Sequence, residues 1–249
     1  MLDADKAAGR TVQTVVIVGG GNAGWLTAGR IAAKHKAKSG GIKVVLVESP
    51  TVAPIGVGEG TWPTMRSTLI ALGISETDFI RECDATFKQG AKFARWVTGA
   101  EEDFYYHPLV LPQGFSKADM AAYWLQAQSK PELAPQFSSF SNDLCYQEAI
   151  CEQGLAPKTI RHAEYAAVAN YAYHLDSGKF GTFLQQHCTE KLGVIHILDD
   201  VIAIQSACNG DIAAVENKNH GRIDIHIGCV EQGRIRQSLQ RRYASGCVT

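Results

Sequence analysis

The chain has 249 residues, of which 45% are hydrophobic and 20% are charged, a composition typical of a globular protein with one large or two small domains. Its formal charge of -1 excludes a strong attraction to nucleic acid or to an anionic membrane surface, and no apolar run approaches the length of a membrane span. Seven cysteines without a C-x-x-C pair indicate reduced thiols rather than a metal site, so we expect a cytoplasmic protein that acts on small molecules.

The first predicted element is an apolar strand that leads into a glycine-rich turn. Residues 15–25 read VVIVGGGNAGW, in which four β-branched residues precede Gly19, Gly21 and Gly24 on the G-x-G-x-x-G spacing. Glycine at these positions lets a pyrophosphate approach the free N–H groups and the positive dipole end of the following helix. A structural turn can also use these glycines, but the order of strand, turn and helix favours dinucleotide binding.

A second apolar strand, KVVLVE, ends in Glu48, which lies 24 residues after Gly24. An acid at the end of the second strand of such a unit usually binds the ribose hydroxyls of the dinucleotide. The sequence therefore predicts an α/β protein with a Rossmann-like dinucleotide-binding domain. At this point the residues leave open whether the dinucleotide is a nicotinamide or a flavin cofactor.

The next stretch, PIGVGEGTWPTM at residues 54–65, is predicted to be a loop after the second strand. The backbone N–H groups of Gly56, Gly58 and Gly60 can approach a flat ligand there, while Trp62 covers one side. A glycine-rich surface turn is the alternative. It is less favoured, because it would expose the large side chain of Trp62.

A helix is predicted to begin after Ser75 and to carry Phe79, Cys83 and Phe87 on its apolar face. The hydrophobic period of the sequence then changes, and apolar and polar residues alternate over 91–97 as in a strand. Lys88 lies near this junction. It lies an even number of residues before Lys92, so the alternation of a strand would put both lysines on the same face. On the physics of the residues alone, Lys88 is a solvated surface lysine.

Residues 101–115 mix aromatic residues with prolines, and we interpret them as part of a substrate-side insertion of about 100–165 rather than as further sheet. An amphipathic helix is predicted from Phe180 to a glycine C-cap at Gly193. Three apolar runs then follow, VIHI, VIAIQ and IAAVE, which predict a β-meander with a hairpin turn at residues 209–210.

Three of these motifs together resemble the flavin-dependent tryptophan halogenase family. They are GGGNAGW, PIGVGEGTWPT and CDATFKQGAKFARW, and they occur in this order and spacing. The resemblance extends from about Val15 to about Gly221. It implies an FAD-binding domain of the aromatic-hydroxylase type that contains the β-meander and the substrate-side insertion.

The resemblance also implies the reaction. Reduced FAD, supplied by a separate flavin reductase, O₂ and a halide would halogenate an electron-rich aromatic substrate such as tryptophan or an indole. The catalytic residue would be Lys88, the first lysine of FKQGAKF, acting either as an ammonium that polarises hypohalous acid or as an amine that forms a haloamine. The cofactor-binding residues would be Gly19, Gly21, Gly24, Glu48, Gly56, Gly58, Glu59 and Val201.

After Ile223 the sequence departs from the family pattern, which has an apolar strand and a closing turn at this point. Residues 224–249 are rich in arginine, so we predict a partial halogenase domain over 1–223 and an atypical basic tail over 224–249. We therefore expect an incomplete version of the enzyme. The alternatives are an FAD-dependent aromatic hydroxylase or other oxidoreductase, and a non-catalytic flavin-binding fragment.

Overall fold

The computed structural model describes residues 12–52, 56, 58–207, 211–225 and 227–230. These residues form two compact units, which are described separately. The first unit draws on Met1–Val57 and Ser177–Thr249, and the second is Gly58–Asp176. Within the described ranges, every helix is too short or too polar to cross a membrane.

The strands are β1 Thr14–Val18, β2 Lys43–Glu48, β3 Gly58–Gly60, β4 Thr86–Lys88, β5 Gly90–Ala94, β6 Phe104–Pro108, β7 Ala172–Asp176, β8 Ile195–Leu198, β9 Val201–Ser206, β10 Ile212–Asn217, β11 Gly221–Asp224 and β12 Ile227–Val230. The α-helices are α1 Asn22–Lys34, α2 Thr64–Leu72, α3 Glu76–Glu82, α4 Met120–Gln128, α5 Phe140–Leu144, α6 Gln147–Glu152 and α7 Ser177–Glu190.

The first unit contains a four-stranded parallel sheet in the order β12-β1-β2-β8. Residues 15–18 and 44–47 are all buried, as expected for strands that are covered on both faces. Helix α1 follows the glycine turn and buries Trp25 and Ala28, and it packs against α7. The predicted strand, turn, helix and second strand are therefore confirmed, and the fold is mixed α/β with a parallel sheet.

The antiparallel meander of the first unit consists of three strands in the order β11-β10-β9. The VIHI run was predicted to belong to it, but this prediction is wrong, because β8 pairs with β2 in the parallel sheet. Strand β8 follows a helix rather than a hairpin turn, which makes a parallel crossover possible. The predicted turn at residues 209–210 lies outside the described residues.

The last parallel strand corrects another expectation from the sequence. Residues after Ile223 were expected to lack the apolar strand of the family, yet β12 pairs with β1 in parallel register, with Ile227 opposite Val15 and Val230 opposite Val18. The run from Ile227 to Val230 is short but apolar, which suits a strand inside a covered sheet. Strand β1 thus has a neighbouring strand on each side.

The second unit contains a three-stranded sheet in the order β3-β7-β4, a two-stranded hairpin of β5 and β6, and helices α2 to α6. Three local predictions are wrong here. Residues 58–60 form a strand instead of a loop, Phe87 lies in β4 instead of on the helix that ends at Glu82, and the aromatic stretch after residue 100 contributes β6 to a sheet.

Candidate functional site

The glycine turn lies at the carboxyl end of β1, where parallel strands present their functional edge. Gly19 has a φ of +124°, in the region that favours glycine, and its N–H donates to the carbonyl of Val47 at 2.9 Å. Gly21 is the N-cap of α1 and provides no side-chain acceptor to the first helical turn. Gly24 is buried in that turn. This arrangement directs the amino end of α1 towards the same edge of the sheet.

Glu48 ends β2 at the same edge, and its side chain lies over the glycine turn. A Cβ atom placed on Gly20 would be only 2.0 Å from the carboxyl carbon of Glu48. Its second carboxylate oxygen, Oε2, lies 2.9 Å from His196 Nε2 on β8. The structure therefore brings the predicted glycines and the predicted acid together, and it adds a histidine that the sequence did not indicate.

Two further predicted cofactor residues belong to the first unit. Val201 begins β9 and packs against the core cluster that includes Val16 and Val45. It follows Asp199, whose N–H donates to the carbonyl of Glu48 at 2.8 Å, so the chain passes the end of β2 just before Val201. Gly56 is exposed and has a φ of +135°.

Gly58 and Glu59 belong to the second unit and lie on β3. They pair with Asp176 and Leu175 of β7 in an antiparallel register. Both are exposed at the edge of the sheet. Because β3 uses its backbone groups for pairing with β7, these residues are part of a sheet rather than of a free glycine loop.

Lys88 lies on β4 of the same sheet, opposite Ala172 of β7. Its ammonium donates to the carbonyl of Thr61 at 3.2 Å and lies 5.1 Å from the ring centroid of Trp62. A Cβ atom on Gly60 would be 3.2 Å from Lys88 Nζ and 3.3 Å from the imidazole of His174. The lysine is thus half-buried at a small surface lined by a carbonyl, an indole and an imidazole.

Trp62 itself is 59% exposed. The prediction that its size would keep it covered is therefore wrong within the second unit. Its exposed ring and the Lys88 ammonium form a cation–π pair at the surface of this unit.

Lys92 has a different environment. It lies on β5, whereas Lys88 lies on β4, so the expectation that the two lysines share one strand parity does not hold. Its ammonium forms an ion pair with Glu152 at 2.6 Å and lies 4.0 Å from the ring centroid of Phe104. Because this ammonium already has a carboxylate partner, the two lysines of FKQGAKF are chemically distinct.

Behind the Lys88 sheet lies a buried polar network around Glu76 of α3. Glu76 is 2% exposed and accepts hydrogen bonds from Lys158 and Tyr173, each at 2.7 Å, and from Tyr171. Tyr171 and Tyr173 flank Ala172, the residue that pairs with Lys88. The network thus supports the strand that positions the lysine.

The titration of this network follows from its contacts. Burial alone would raise the pKa of Glu76, but the hydrogen bonds from Lys158, Tyr171, Tyr173 and the Tyr165 backbone outweigh it and hold the pKa below its ordinary value of 4.5. Burial and the adjacent carboxylate raise the pKa of Tyr171 to about 12. In the sequence, Glu76 was recognisable only as an acid in the first turn of a helix.

The family model for tryptophan halogenases matches residues 14–245. The chain belongs to the tryptophan halogenase family. The match continues well past residue 223, so the family pattern includes β12 and part of the arginine-rich segment. The motifs GGGNAGW, PIGVGEGTWPT and FKQGAKF all lie inside the matched region.

Curated relatives support the assignment to this halogenase family. The chain is 32% identical to tryptophan 6-halogenase ThaL of Streptomyces albogriseolus over 234 residues, and 31% identical to tryptophan 7-halogenase RebH of Lentzea aerocolonigenes over 233 residues. Each match covers 88% of this chain and 42% of the relative. The chain therefore spans less than half the length of these relatives.

Solved structures of halogenases have the same fold. A tryptophan halogenase of Shewanella frigidimarina NCIMB 400 superposes with a TM-score of 0.82 at 44% identity, over 90% of this chain and 43% of that one. A tryptophan C-6 flavin-dependent halogenase (chlorinase) from taromycin biosynthesis superposes with a TM-score of 0.79 at 27% identity, over 95% and 46% of the two chains.

Proposed function

We propose that this chain binds FAD and contributes Lys88 to the flavin-dependent halogenation of an electron-rich aromatic substrate, such as tryptophan or another indole. The observation that carries the proposal is the contrast between the two lysines of FKQGAKF. Lys88 contacts a carbonyl and an indole ring and contacts no carboxylate among the described residues, whereas Lys92 forms an ion pair with Glu152. Its ammonium is therefore the one available to a reactive oxygen or halogen.

The residues at the edge of the parallel sheet fit a flavin dinucleotide. Gly20 leaves room that a Cβ atom would fill, and the carboxylate of Glu48 lies in that room. The pyrophosphate would lie on the N–H groups at the start of α1, beside Gly19 and Gly21, and the ribose would bind Glu48. Val201 would lie near the adenine, and Gly56, Gly58 and Glu59 would contribute to the flavin side. The domain is in this sense Rossmann-like.

When bound, reduced FAD would give two electrons to O₂, and the oxygen activated in this way would oxidise the halide to an electrophilic halogen. Lys88 would hold hypohalous acid, because its ammonium has three donors, only one of which is directed at Thr61, and the others can bind the oxygen of the acid. In the alternative route, its neutral amine would attack the halogen of hypohalous acid, so that a nitrogen–halogen bond forms, the oxygen–halogen bond breaks, and the hydroxide released takes up the amine proton as water. In both cases the exposed ring of Trp62 limits the directions from which the halogen can leave.

The proposal includes partners that the fold itself does not contain. A separate flavin reductase in the cytoplasm would supply reduced FAD. Residues of about 100–165 would form a substrate-side insertion within the second unit. The substrate pocket would be completed by sequence that corresponds to the second half of the longer relatives.

The proposal is tested by a halogenation assay on a chimera that joins this chain to the remaining sequence of the Shewanella frigidimarina halogenase. With reductase, O₂, bromide and tryptophan, Lys88→Ala is expected to lower the rate of brominated product by at least about 100-fold while FAD remains bound. Lys92→Ala is the matched control and should keep most of the activity.

The outcomes separate the alternatives. If Lys88→Ala brominates at the rate of the unsubstituted chimera, or if only Lys92→Ala is inactive, the assignment of the lysine is wrong. A hydroxylated product in place of a brominated one would support an aromatic hydroxylase. Bound FAD without any product would support a non-catalytic flavin-binding chain.

A further inference from the structure

Glu48 is held by a chain of contacts that extends away from the nucleotide edge. Its Oε2 atom lies 2.9 Å from His196 Nε2, and His196 Nδ1 lies 3.1 Å from the side-chain amide nitrogen of Gln185 on α7. The histidine and the glutamate side chains are 17% and 20% exposed. The three side chains therefore form a partly buried relay between α7 and the end of β2.

The contacts define which tautomer the ring of His196 adopts. The amide of Gln185 is a donor, so His196 Nδ1 accepts, and Nε2 carries the hydrogen that is donated to Glu48. The ring is also held from the side, because the fully buried indole of Trp25 packs against it edge-on at a centroid distance of 5.0 Å. The direction of the hydrogen bond to Glu48 is thus set by two residues on two different helices.

The two carboxylate oxygens of Glu48 therefore have different surroundings. Oε2 is bound by His196, whereas Oε1 is directed at the glycine turn and lies 2.3 Å from the position that a Cβ atom of Gly20 would occupy. A free glutamate side chain loses about 1.5–2 kcal/mol of rotamer freedom when it is ordered. Here the histidine orders it before any ligand arrives, which favours a ligand with hydroxyl groups at that point.

We propose that His196, oriented by Gln185 and Trp25, is a positioning residue that fixes Glu48 for recognition of the adenosine ribose diol and so makes the site selective for ribose over dideoxyribose. The inference rests on the proposed function, because it takes the edge of the parallel sheet as the FAD site. It assigns the selectivity to a residue on β8, outside the glycine motif and the acid that follow the usual pattern.

The test is the displacement of FAD from the full 249-residue chain by ADP and by 2′,3′-dideoxy-ADP, followed by flavin fluorescence. The unsubstituted chain should bind ADP at least about tenfold more tightly than the dideoxy analogue, which is the effect of a hydrogen bond to a charged group. His196→Leu should reduce this ratio to about twofold or less while the affinity for the dideoxy analogue stays within about twofold.

His196→Gln is the rescue variant, because its amide N–H can still donate to Glu48, and it should restore most of the ratio. Gln185→Leu is the second variant, because it leaves His196 and its contact with Trp25 in place, and it should lower the ratio in part. If His196→Leu does not fold, the ratio measured for Gln185→Leu tests the proposal in its place.

Three results with the variants would overturn the inference. They are an unchanged ratio in His196→Leu, an equal loss of affinity for both nucleotides, and, where His196→Leu does not fold, an unchanged ratio in Gln185→Leu. An unsubstituted chain that binds neither FAD nor ADP would overturn the proposed function itself. A chain that binds FAD but does not prefer ADP to the dideoxy analogue would overturn this inference alone.

Discussion

The edge of the parallel sheet and the sheet that carries Lys88 are built by different means. The edge relies on two runs of buried aliphatic residues and on glycines that follow β1 directly. The lysine sheet relies on Glu76, whose partners Lys158, Tyr171 and Tyr173 are 82 to 97 residues away in the sequence. The edge of the parallel sheet can be predicted from residues that are neighbours in the sequence. The network around Glu76 cannot be predicted in this way, because its members come together only in the folded chain.

The largest effect on stability is expected from a substitution that removes the carboxylate of Glu76 from its buried network. Glu76→Gln removes the carboxylate that pairs with Lys158, and leaves an ammonium whose side chain is only 13% exposed without its partner. Breaking a buried ion pair in this way costs about 3–5 kcal/mol. The free energy of unfolding at neutral pH should fall by about that amount, measured by urea denaturation.

Glu82→Gln is the matched control, because Glu82 lies on the same helix but is about half exposed and pairs with Arg81 at the surface. It should change the free energy of unfolding by less than about 0.5 kcal/mol. Equal effects of the two substitutions would contradict the role of the buried network.

The same carboxylate predicts how stability depends on pH. The pKa of Glu76 is lower in the folded state than its ordinary value of 4.5, so the unfolded state binds more protons between the two values. The stabilisation is fully present above pH 4.5 and is lost as the pH falls through the folded pKa. Urea denaturation at several pH values should show a decline below pH 4.5 that is smaller in Glu76→Gln, and identical profiles would contradict the assignment.

Local patterns in the sequence identified the first region well. Four β-branched residues predicted β1, the glycine spacing predicted the turn, and KVVLVE predicted β2 with Glu48 at its end, because each signal depends only on neighbours in the chain. The partner of Glu48 could not be predicted in the same way. His196 is brought to it by the pairing of β8 with β2, which follows a long crossover.

Patterns were less informative in the second region. Gly58 and Gly60 were interpreted as loop residues, since glycine is uncommon in strands, but pairing with β7 overrides that preference. The two lysines of FKQGAKF were given the same strand parity, but they lie on the separate strands β4 and β5, and Gly90 at the start of β5 has a φ of +155°, in the glycine region. The alternation of apolar and polar residues did not show that β4 and β5 are separate strands.

A smaller effect is expected at the glycine turn. Gly21 has φ and ψ of -71° and 173°, which any residue adopts, so Gly21→Val should change the stability of the fold little. A side chain there would occupy the pyrophosphate path, and the affinity for FAD should fall by about 3 kcal/mol, or more than 100-fold. Equilibrium dialysis measures the affinity, and unchanged FAD binding would contradict the position of the pyrophosphate.

The smallest effect is expected at the neighbouring position. In Gly20→Ala the new methyl group would overlap the carboxylate of Glu48, which must move and loses its hydrogen bond to His196. The flexible side chain can move at low cost to the fold, so the affinity for FAD should fall by only about 1 kcal/mol, or about fivefold. Isothermal titration should detect this change, and a loss as large as that of Gly21→Val would show that the turn itself had been distorted.

The central claim is that the edge formed by the glycine turn and Glu48 is a site for FAD, and the most direct measurement is a titration of the 249-residue chain with FAD and with NAD. We predict that FAD binds with one molecule per chain, that Gly21→Val weakens this binding more than 100-fold, and that NAD does not displace FAD at equal concentration. Binding of NAD without binding of FAD would contradict the claim.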